Sequence, residues 1–159
     1  MAIEKDIKNG SYYSAIFLAI TLPSICGALE SDDGKDTEEK YINWYKKYVR
    51  NLLLTGADCY KLRCSLLHQA TVVHAGSSLV RVIFTFPVPS GNTFHNNIIN
   101  GALNLDIPLF CNELVSAARG WGSQMENEHN INYIKNVPGV MRLYSKGVPP
   151  YFSGHPVLS

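Results

Sequence analysis

The sequence predicts a mainly α-helical fold in a single domain that covers residues 1–159. Apolar residues recur at spacings of three and four in several long segments, and only one clear segment alternates between apolar and polar residues. The chain is 46% hydrophobic and 17% charged, which is typical of a globular domain with an ordinary core. Few charges and many aromatic residues also favour a homodimer.

Residues 1–75 are predicted to be helical. The first helix is expected to begin before Ser11 and to run to about Leu22, where Pro23 interrupts it. Its apolar run is too short to span a bilayer and lacks a cleavage site, so we expect a core helix rather than a signal peptide or a membrane anchor. The four cysteines lack zinc-ligand spacing and are expected to be reduced, which predicts a cytoplasmic protein without membrane contact.

Two more helices are expected after the acidic loop at 31–34. Asp36 is predicted to cap the first, and Thr55-Gly56-Ala57-Asp58 is predicted to form a turn and a second cap. The third helix is expected to fray in residues 71–73 and to end at a break at 76–78. An aromatic stripe in the second helix indicates core packing, and the alternative is a base-stacking surface. The stripe comprises Tyr41, Trp44, Tyr45, Tyr48 and Val49.

The pattern changes after residue 78. Residues 79–86 alternate and predict a strand, and a turn followed by residues 93–98 predicts a β-hairpin over about residues 79–98. Asp106 is expected to cap a long helix over about residues 106–122, with Pro108 in its first turn. The remaining residues, 123–159, are predicted to form an extended tail whose aromatic residues lie across the body. The asparagines between 92 and 104 indicate turns or, alternatively, a polar pocket.

The segment Arg63-Cys64-Ser65-Leu66-Leu67-His68 carries the clearest chemical signal. A guanidinium binds a phosphate bidentately, and an imidazole exchanges a proton near pH 7. Five residues of helix correspond to about 500° of rotation, so the two side chains would point about 140° apart. They reach one phosphate only if the helix ends or distorts before His68, or if two copies of the chain meet. The alternative is structural, with Arg63 paired to an acid such as Asp58 and His68 satisfied in the core.

A basic stretch precedes this segment and is a candidate surface for the RNA backbone. The alternative is a solvated helix face, which is the usual role of a run of charges. No grouping of histidines and cysteines has the spacing of a metal site, and no glycine-rich phosphate loop is present, so neither a metal nor a cofactor is predicted. The candidate RNA-binding residues are Lys46, Lys47, Arg50 and Lys61.

The string from Leu62 to Gln69 resembles the R-x(4–6)-H motif of the HEPN superfamily of helical ribonucleases and nucleotide-binding domains. That resemblance implies a HEPN-like helical bundle, with the hairpin as an insertion, that dimerises to bring two motifs into one cleft. It implies a metal-independent endoribonuclease of a toxin or defence type, with Arg63 as the phosphate clamp. His68 would be the acid or base for attack by the RNA 2′-hydroxyl, leaving a cyclic phosphate.

The chain also resembles a group of small bacterial proteins that share the elements Leu22-Pro23-Ser24-Ile25-Cys26-Gly27 and Gly147-Val148-Pro149-Pro150-Tyr151. That second resemblance implies no function. Active HEPN nucleases usually carry a polar residue directly after the arginine, where this chain has Cys64. The alternative function is therefore a non-catalytic, dimeric interaction or structural module of the same fold.

Overall fold

The fold is mainly α-helical, as predicted. The computed structural model describes residues 1–69, 81–89 and 91–159. Its helices are α1 Ala2–Lys8, α2 Tyr12–Ala19, α3 Leu22–Glu30, α4 Glu38–Tyr48, α5 Gly56–Gln69, α6 Ile107–Asn127 and α7 Ile131–Asn136, with a 3₁₀ turn at Val137–Gly139. Its strands are β1 Arg81–Thr85, β2 Asn97–Ile99, β3 Ala102–Asp106, β4 Leu143–Tyr144, β5 Gly147–Val148, β6 Phe152–Ser153 and β7 Val157–Leu158.

The N-terminal residues form three short helices instead of the predicted long one. Gly10 adopts a positive φ of 73° between α1 and α2, a conformation that glycine accepts readily. Pro23 lies in the first turn of α3, where its missing N–H removes no helical hydrogen bond. The proline therefore begins a helix, whereas the sequence predicted that it interrupts one.

One stretch of the described residues, Tyr12–Glu30, is long and apolar enough to cross a membrane, with a hydropathy of 1.6. In the fold this stretch is divided between α2 and α3, which meet at Ile20 and Thr21. The side chains of Ala15, Ala19 and Ile20 are fully buried in the hydrophobic core. The stretch thus contributes to the core, and for its residues up to about Leu22 the sequence predicted this.

Helix α4 carries the aromatic stripe into the core. Tyr41, Trp44 and Tyr45 are buried, and Trp44 makes an edge-to-face contact with Trp121 of α6 at 6.3 Å between ring centroids. The stripe is therefore a packing surface, as predicted. The cap is one residue later than expected, because the Thr37 side chain, and not Asp36, accepts the Lys40 amide.

The first sheet has the strand order β1-β3-β2. β1 pairs with β3 in parallel, and β2 pairs with β3 antiparallel, so the predicted hairpin between residues 79–86 and 93–98 is wrong in its pairing. The hairpin joins β2 to β3 through Asn100 and Gly101, which both have positive φ as a type I′ turn requires. Asn96 also has a positive φ, and its side chain bonds Leu53 N and Asn51 O. These asparagines therefore serve turns and loop contacts.

Helix α6 is the central helix of the bundle. Asp106 caps it by accepting the Leu109 amide at 3.1 Å, and Pro108 lies in its first turn, both as predicted. It runs to Asn127, beyond the predicted end near residue 122, and contacts α1, α2, α3 and α4. Its fully buried side chains include Phe110 and Leu114.

The segment after α6 has more regular structure than the predicted extended tail. Helix α7 packs against α3, and two short antiparallel ladders follow, β4 with β7 and β5 with β6. Tyr151 is 88% exposed and Phe152 is 52% exposed, so these aromatic side chains do not bury themselves on the body. Asn132 donates to the Glu30 carbonyl and Asn136 to the Leu29 and Ser31 carbonyls, so α7 is held at the end of α3, whereas the last residues pair in their own ladders.

Three predictions fall wholly or partly outside the described residues. These are the fraying at 71–73, the break at 76–78, and the beginning of the strand at 79 and 80. Within the described part, β1 confirms a strand from Arg81 onward.

Candidate functional site

Helix α5 positions the candidate arginine. Thr55 and Asp58 form a reciprocal cap at its N-terminus, where Asp58 N donates to the Thr55 hydroxyl and that hydroxyl donates to the Asp58 carboxylate at 2.7 Å. Leu62 and Leu66 are buried on the face toward the core. Arg63 follows Leu62 at the border of this apolar face, so its long side chain extends along the protein surface with its guanidinium partly exposed.

The guanidinium of Arg63 makes a loose ion pair with Asp36, which precedes α4. Arg63 Nη2 and Asp36 Oδ2 are 3.6 Å apart, beyond hydrogen-bond distance, and the side chains are 23% and 29% exposed. The guanidinium also lies over the Tyr60 ring, 5.9 Å from its centroid. An exposed ion pair without ideal geometry contributes little to stability. Arg63 is therefore paired within the chain, but by Asp36 instead of Asp58, which bonds Thr55.

His68 lies five residues after Arg63 on the same helix, which is about 1.4 turns. Helix α5 is continuous through Gln69, so the five-residue spacing turns the two side chains about 140° apart. His68 is exposed, whereas Arg63 lies in a cleft beside Asp36. Within one chain, the structure does not direct the two side chains at the same point.

Three of the other predicted cations line a different groove from the one that holds Arg63. Lys46, Lys47 and Arg50 line a groove at the C-terminal end of α4, next to the beginning of α5. Lys47 is engaged there, since its Nζ lies 2.7 Å from Glu30 Oε1, and this hydrogen bond raises the pKa of the lysine. Lys61 is half-buried on α5 and takes part in a further interaction. Lys46, Lys47 and Arg50 therefore share one groove, and Arg63 lies in another.

The cleft around Arg63 is open and has a volume of about 940 Å³. Its floor is α3, one side is the loop before α4, and the other side is α7 with the residues that follow it. Asp33 is already occupied: its carboxylate accepts from Lys40, from the Lys35 amide and from Ser31, and the Lys40 contact above all lowers its pKa. Lys135 also lines the cleft.

Three of the four thiols are chemically unreactive. Cys26, Cys59 and Cys111 are buried, and burial raises the pKa of each to about 12. Thiols with such pKa values carry almost no thiolate near neutral pH, so they behave as small apolar groups. Across residues 1–69, 81–89 and 91–159, no three histidine, cysteine or acidic side chains are grouped as metal ligands.

Two residues of the Arg63 cleft were not identified from the sequence. Asp36 was predicted to cap α4, and Ser24 was named only within the element Leu22-Pro23-Ser24-Ile25-Cys26-Gly27. No family model, curated protein or solved structure matches the chain.

Proposed function

We propose that this chain is an RNA-directed, cytoplasmic bacterial protein, and that it acts as a metal-independent endoribonuclease when two copies combine. The observation that carries the proposal is the position of Arg63 and His68. Both lie on one continuous helix, the guanidinium in an open cleft and the imidazole in solvent. The resemblance of this helix to the HEPN motif supports the same function.

The proposed chemistry needs a base and an acid. The base removes the proton of the RNA 2′-hydroxyl, whose oxygen attacks the phosphorus, and the acid protonates the departing 5′-oxygen. The products are a 2′,3′-cyclic phosphate and a 5′-hydroxyl. A two-fold dimer presents the same surface twice, so it would form two composite sites, and in each one a single His68 would act first as the base and then, once protonated, as the acid. Arg63 would stabilise the negative charge that develops on the phosphate oxygens.

The angle between the two side chains makes the second copy necessary. A guanidinium and an imidazole about 140° apart on a straight helix cannot contact one phosphate from the same chain. In the proposed assembly, Arg63 of one chain acts with His68 of another. The groove with Lys46, Lys47 and Arg50 lies at the other end of the α4–α5 pair, where it would hold RNA distant from the cleaved bond.

The experiment is cleavage of total cellular RNA in EDTA by the wild type, His68→Ala and Arg63→Ala. We expect cleavage by the wild type alone, and cyclic phosphate ends on the products. His155→Ala, which removes another exposed imidazole, is the matched control and should cleave normally. No cleavage by a folded, dimeric wild-type protein would overturn the nuclease proposal.

A mixture of the two inactive variants tests the shared site. A heterodimer of Arg63→Ala with His68→Ala retains one arginine and one histidine from different chains. We expect it to regain part of the wild-type rate, because one of its two composite sites holds both residues. A heterodimer as inactive as its parents would contradict catalysis across the interface.

The second candidate is a non-catalytic interaction module, and the pairing of Arg63 with Asp36 inside the chain favours it. In that case His68→Ala and Arg63→Ala would leave RNA binding and dimerisation unchanged. RNA binding itself is measured as a function of salt. Binding through phosphate contacts should weaken steeply as the ionic strength rises, whereas a protein-binding module should show no such RNA affinity.

A further inference from the structure

We propose that the cleft around Arg63 binds a small organic anion, a carboxylate or phosphate group attached to an apolar body. The anionic group would replace Asp36 on the guanidinium, and the apolar body would lie against α3 and the residues after α7. This inference stands beside the proposed function and does not depend on it, because it requires neither RNA nor a second copy of the chain.

The first support is a pair of hydrogen-bond donors without partners at this cleft. Ser24 is 7% exposed, and neither its hydroxyl nor Arg63 Nε has a hydrogen-bond partner among the described residues. Both residues line the cleft. Buried donors are nearly always paired in folded proteins, so two unpaired donors at one cleft indicate a group that binds there.

The helix offers Ser24 an internal acceptor, the carbonyl four residues earlier, which is that of Ile20. The Ile20 carbonyl accepts from the Tyr41 hydroxyl at 3.1 Å, and the Ser24 hydroxyl does not bond it. The Ser24 hydroxyl therefore has no acceptor among the described residues.

The second support is the balance of charge. Asp33 pairs with Lys40, and the same Oδ1 atom also accepts from Ser31 and from the Lys35 amide, so the charge of Asp33 is balanced by Lys40 and not by Arg63 or Lys135. Lys135 donates to the Asp32 backbone carbonyl at 2.9 Å, and among the described residues no carboxylate forms an ion pair with it. Among the described residues, Asp36 is the only carboxylate that forms an ion pair with Arg63, at 3.6 Å. Two cations thus face one loosely held carboxylate, an arrangement that favours an incoming anion.

The third support is the apolar wall. Ile25 on α3, and Val140 and Met141 after α7, line the cleft with 47%, 39% and 68% of their surfaces exposed. Exposed apolar side chains beside a few polar groups are typical of small-molecule sites, and a cleft of about 940 Å³ has their size. The wall selects a ligand with an apolar body over a free inorganic ion.

The two donors are shielded while Arg63 lies against Asp36. A ligand oxygen that takes the place of the Asp36 carboxylate lets the guanidinium turn toward it, so that Nε and the Ser24 hydroxyl both donate to the ligand. Asp36 is then a competitor for the ligand. Its removal should strengthen binding.

The test uses four probes of simple chemistry, measured by calorimetry and by amide shifts in NMR spectra. Phenyl phosphate and phenylacetate carry the same apolar body with different anionic groups, inorganic phosphate lacks the body, and benzyl alcohol lacks the charge. We expect a Kd on the order of 1 mM for at least one of the two aromatic anions, given its size. Inorganic phosphate and benzyl alcohol should each bind about tenfold more weakly. The tighter aromatic anion identifies the anionic group.

Four variants locate the binding. Arg63→Gln should abolish it, and Asp36→Asn should strengthen it about two- to fivefold, because a loosely paired surface carboxylate competes only weakly. Ser24→Ala should weaken binding several-fold without lowering the melting temperature, since removing an unpaired buried hydroxyl does not destabilise the fold. Arg119→Gln, which removes an exposed arginine paired with Glu4, is the control and should bind like the wild type.

Two results would overturn the inference. One is equal affinity for all four probes, which would indicate non-specific contact. The other is binding of the aromatic anions that is unchanged in both Arg63→Gln and Asp36→Asn, because the anionic group would then lie elsewhere.

Discussion

Replacing Gly27 with alanine tests a close approach of two helices in this fold. A Cβ atom at Gly27 on α3 would lie 3.0 Å from the Lys40 carbonyl oxygen of α4 and 3.3 Å from its carbonyl carbon. These are backbone atoms, which cannot rotate away as a side chain does. The two helices must therefore separate by a few tenths of an ångström to admit a single methyl group.

The expected magnitude combines two opposing effects. Forcing an extra methyl group into a packed contact typically costs about 1–3 kcal/mol. Alanine is a better helix former than glycine inside α3 by about 1 kcal/mol. We expect Gly27→Ala to lower the free energy of unfolding by about 1 kcal/mol, which shifts the melting temperature of a chain of this size by roughly 2–4 °C.

Gly120→Ala is the matched control. Gly120 also lies inside a helix, α6, but a Cβ atom there would meet nothing within 4 Å. This substitution gains the same helix propensity without a clash, so it should raise the free energy of unfolding by up to about 1 kcal/mol. The difference between the two variants removes the propensity effect and leaves the clash, about 1–3 kcal/mol.

The assay is urea unfolding of the wild type and both variants, with the midpoint and the slope fitted separately. Opposite shifts of the midpoint at a constant slope are expected, because only stability should change. If Gly27→Ala stabilised the protein as much as Gly120→Ala does, α3 and α4 would not be in contact at this point, and the packing described here would be wrong.

Four further substitutions or conditions give defined outcomes. Asp106→Ala should lower the free energy of unfolding by about 1 kcal/mol in urea, because it removes the α6 cap, while Asp106→Asn should lose less. Gly101→Ala should cost about 1–2 kcal/mol by thermal melting, because it forces a Cβ into a φ of 77°. Burial raises the pKa of the Cys26, Cys59 and Cys111 thiols from 9.0 to about 12. Their contribution to the free energy of unfolding is therefore complete below pH 9.0 and should be lost as the pH rises toward 12. A urea midpoint that stays constant over that pH range would contradict this. At pH 8 the folded chain should react with a thiol reagent at Cys64 well before the buried thiols, Cys26, Cys59 and Cys111.

Local signals in the sequence were sufficient for the helices that they mark directly. The cap at Asp106 and the proline after it predicted the beginning of α6 correctly, because both effects act within one turn. The aromatic stripe of α4 predicted the core, because burial follows helical spacing. The α4 cap was assigned one residue early, since Asp36 and Thr37 are both good capping residues and only tertiary contacts assign Asp36 to Arg63.

The sheet could not be predicted in the same way. β1 pairs in parallel with β3, so that Arg81 lies opposite Ala102. These two residues are distant in the sequence, and no local sequence pattern indicates that they pair. The hairpin of β2 and β3 does have a local signal, the dipeptide Asn100-Gly101, which is the common sequence of a type I′ turn. It was missed because the asparagines between 92 and 104 were interpreted together, as turns or as a polar pocket.

The sequence predicted the angle between the Arg63 and His68 side chains but not the residues that contact Arg63. The spacing of Arg63 and His68 alone gave their divergence, because helix geometry fixes it. The contact of Arg63 with Asp36, the unpaired hydroxyl of Ser24 and the position of α7 over α3 all depend on tertiary packing. Such contacts join residues that are distant in the sequence and carry no common motif.

The contact between α3 and α4 also determines what Arg63 can bind. Gly27 allows Lys40 to approach α3, and Lys40 in turn binds Asp33, which fixes the loop that carries Asp36. The loop thereby places one carboxylate beside Arg63 at a distance too long for a hydrogen bond. A ligand that binds Arg63 must displace that carboxylate from within the cleft, whereas His68 faces solvent on another side of α5. Helix α5 therefore presents Arg63 and His68 on two different surfaces.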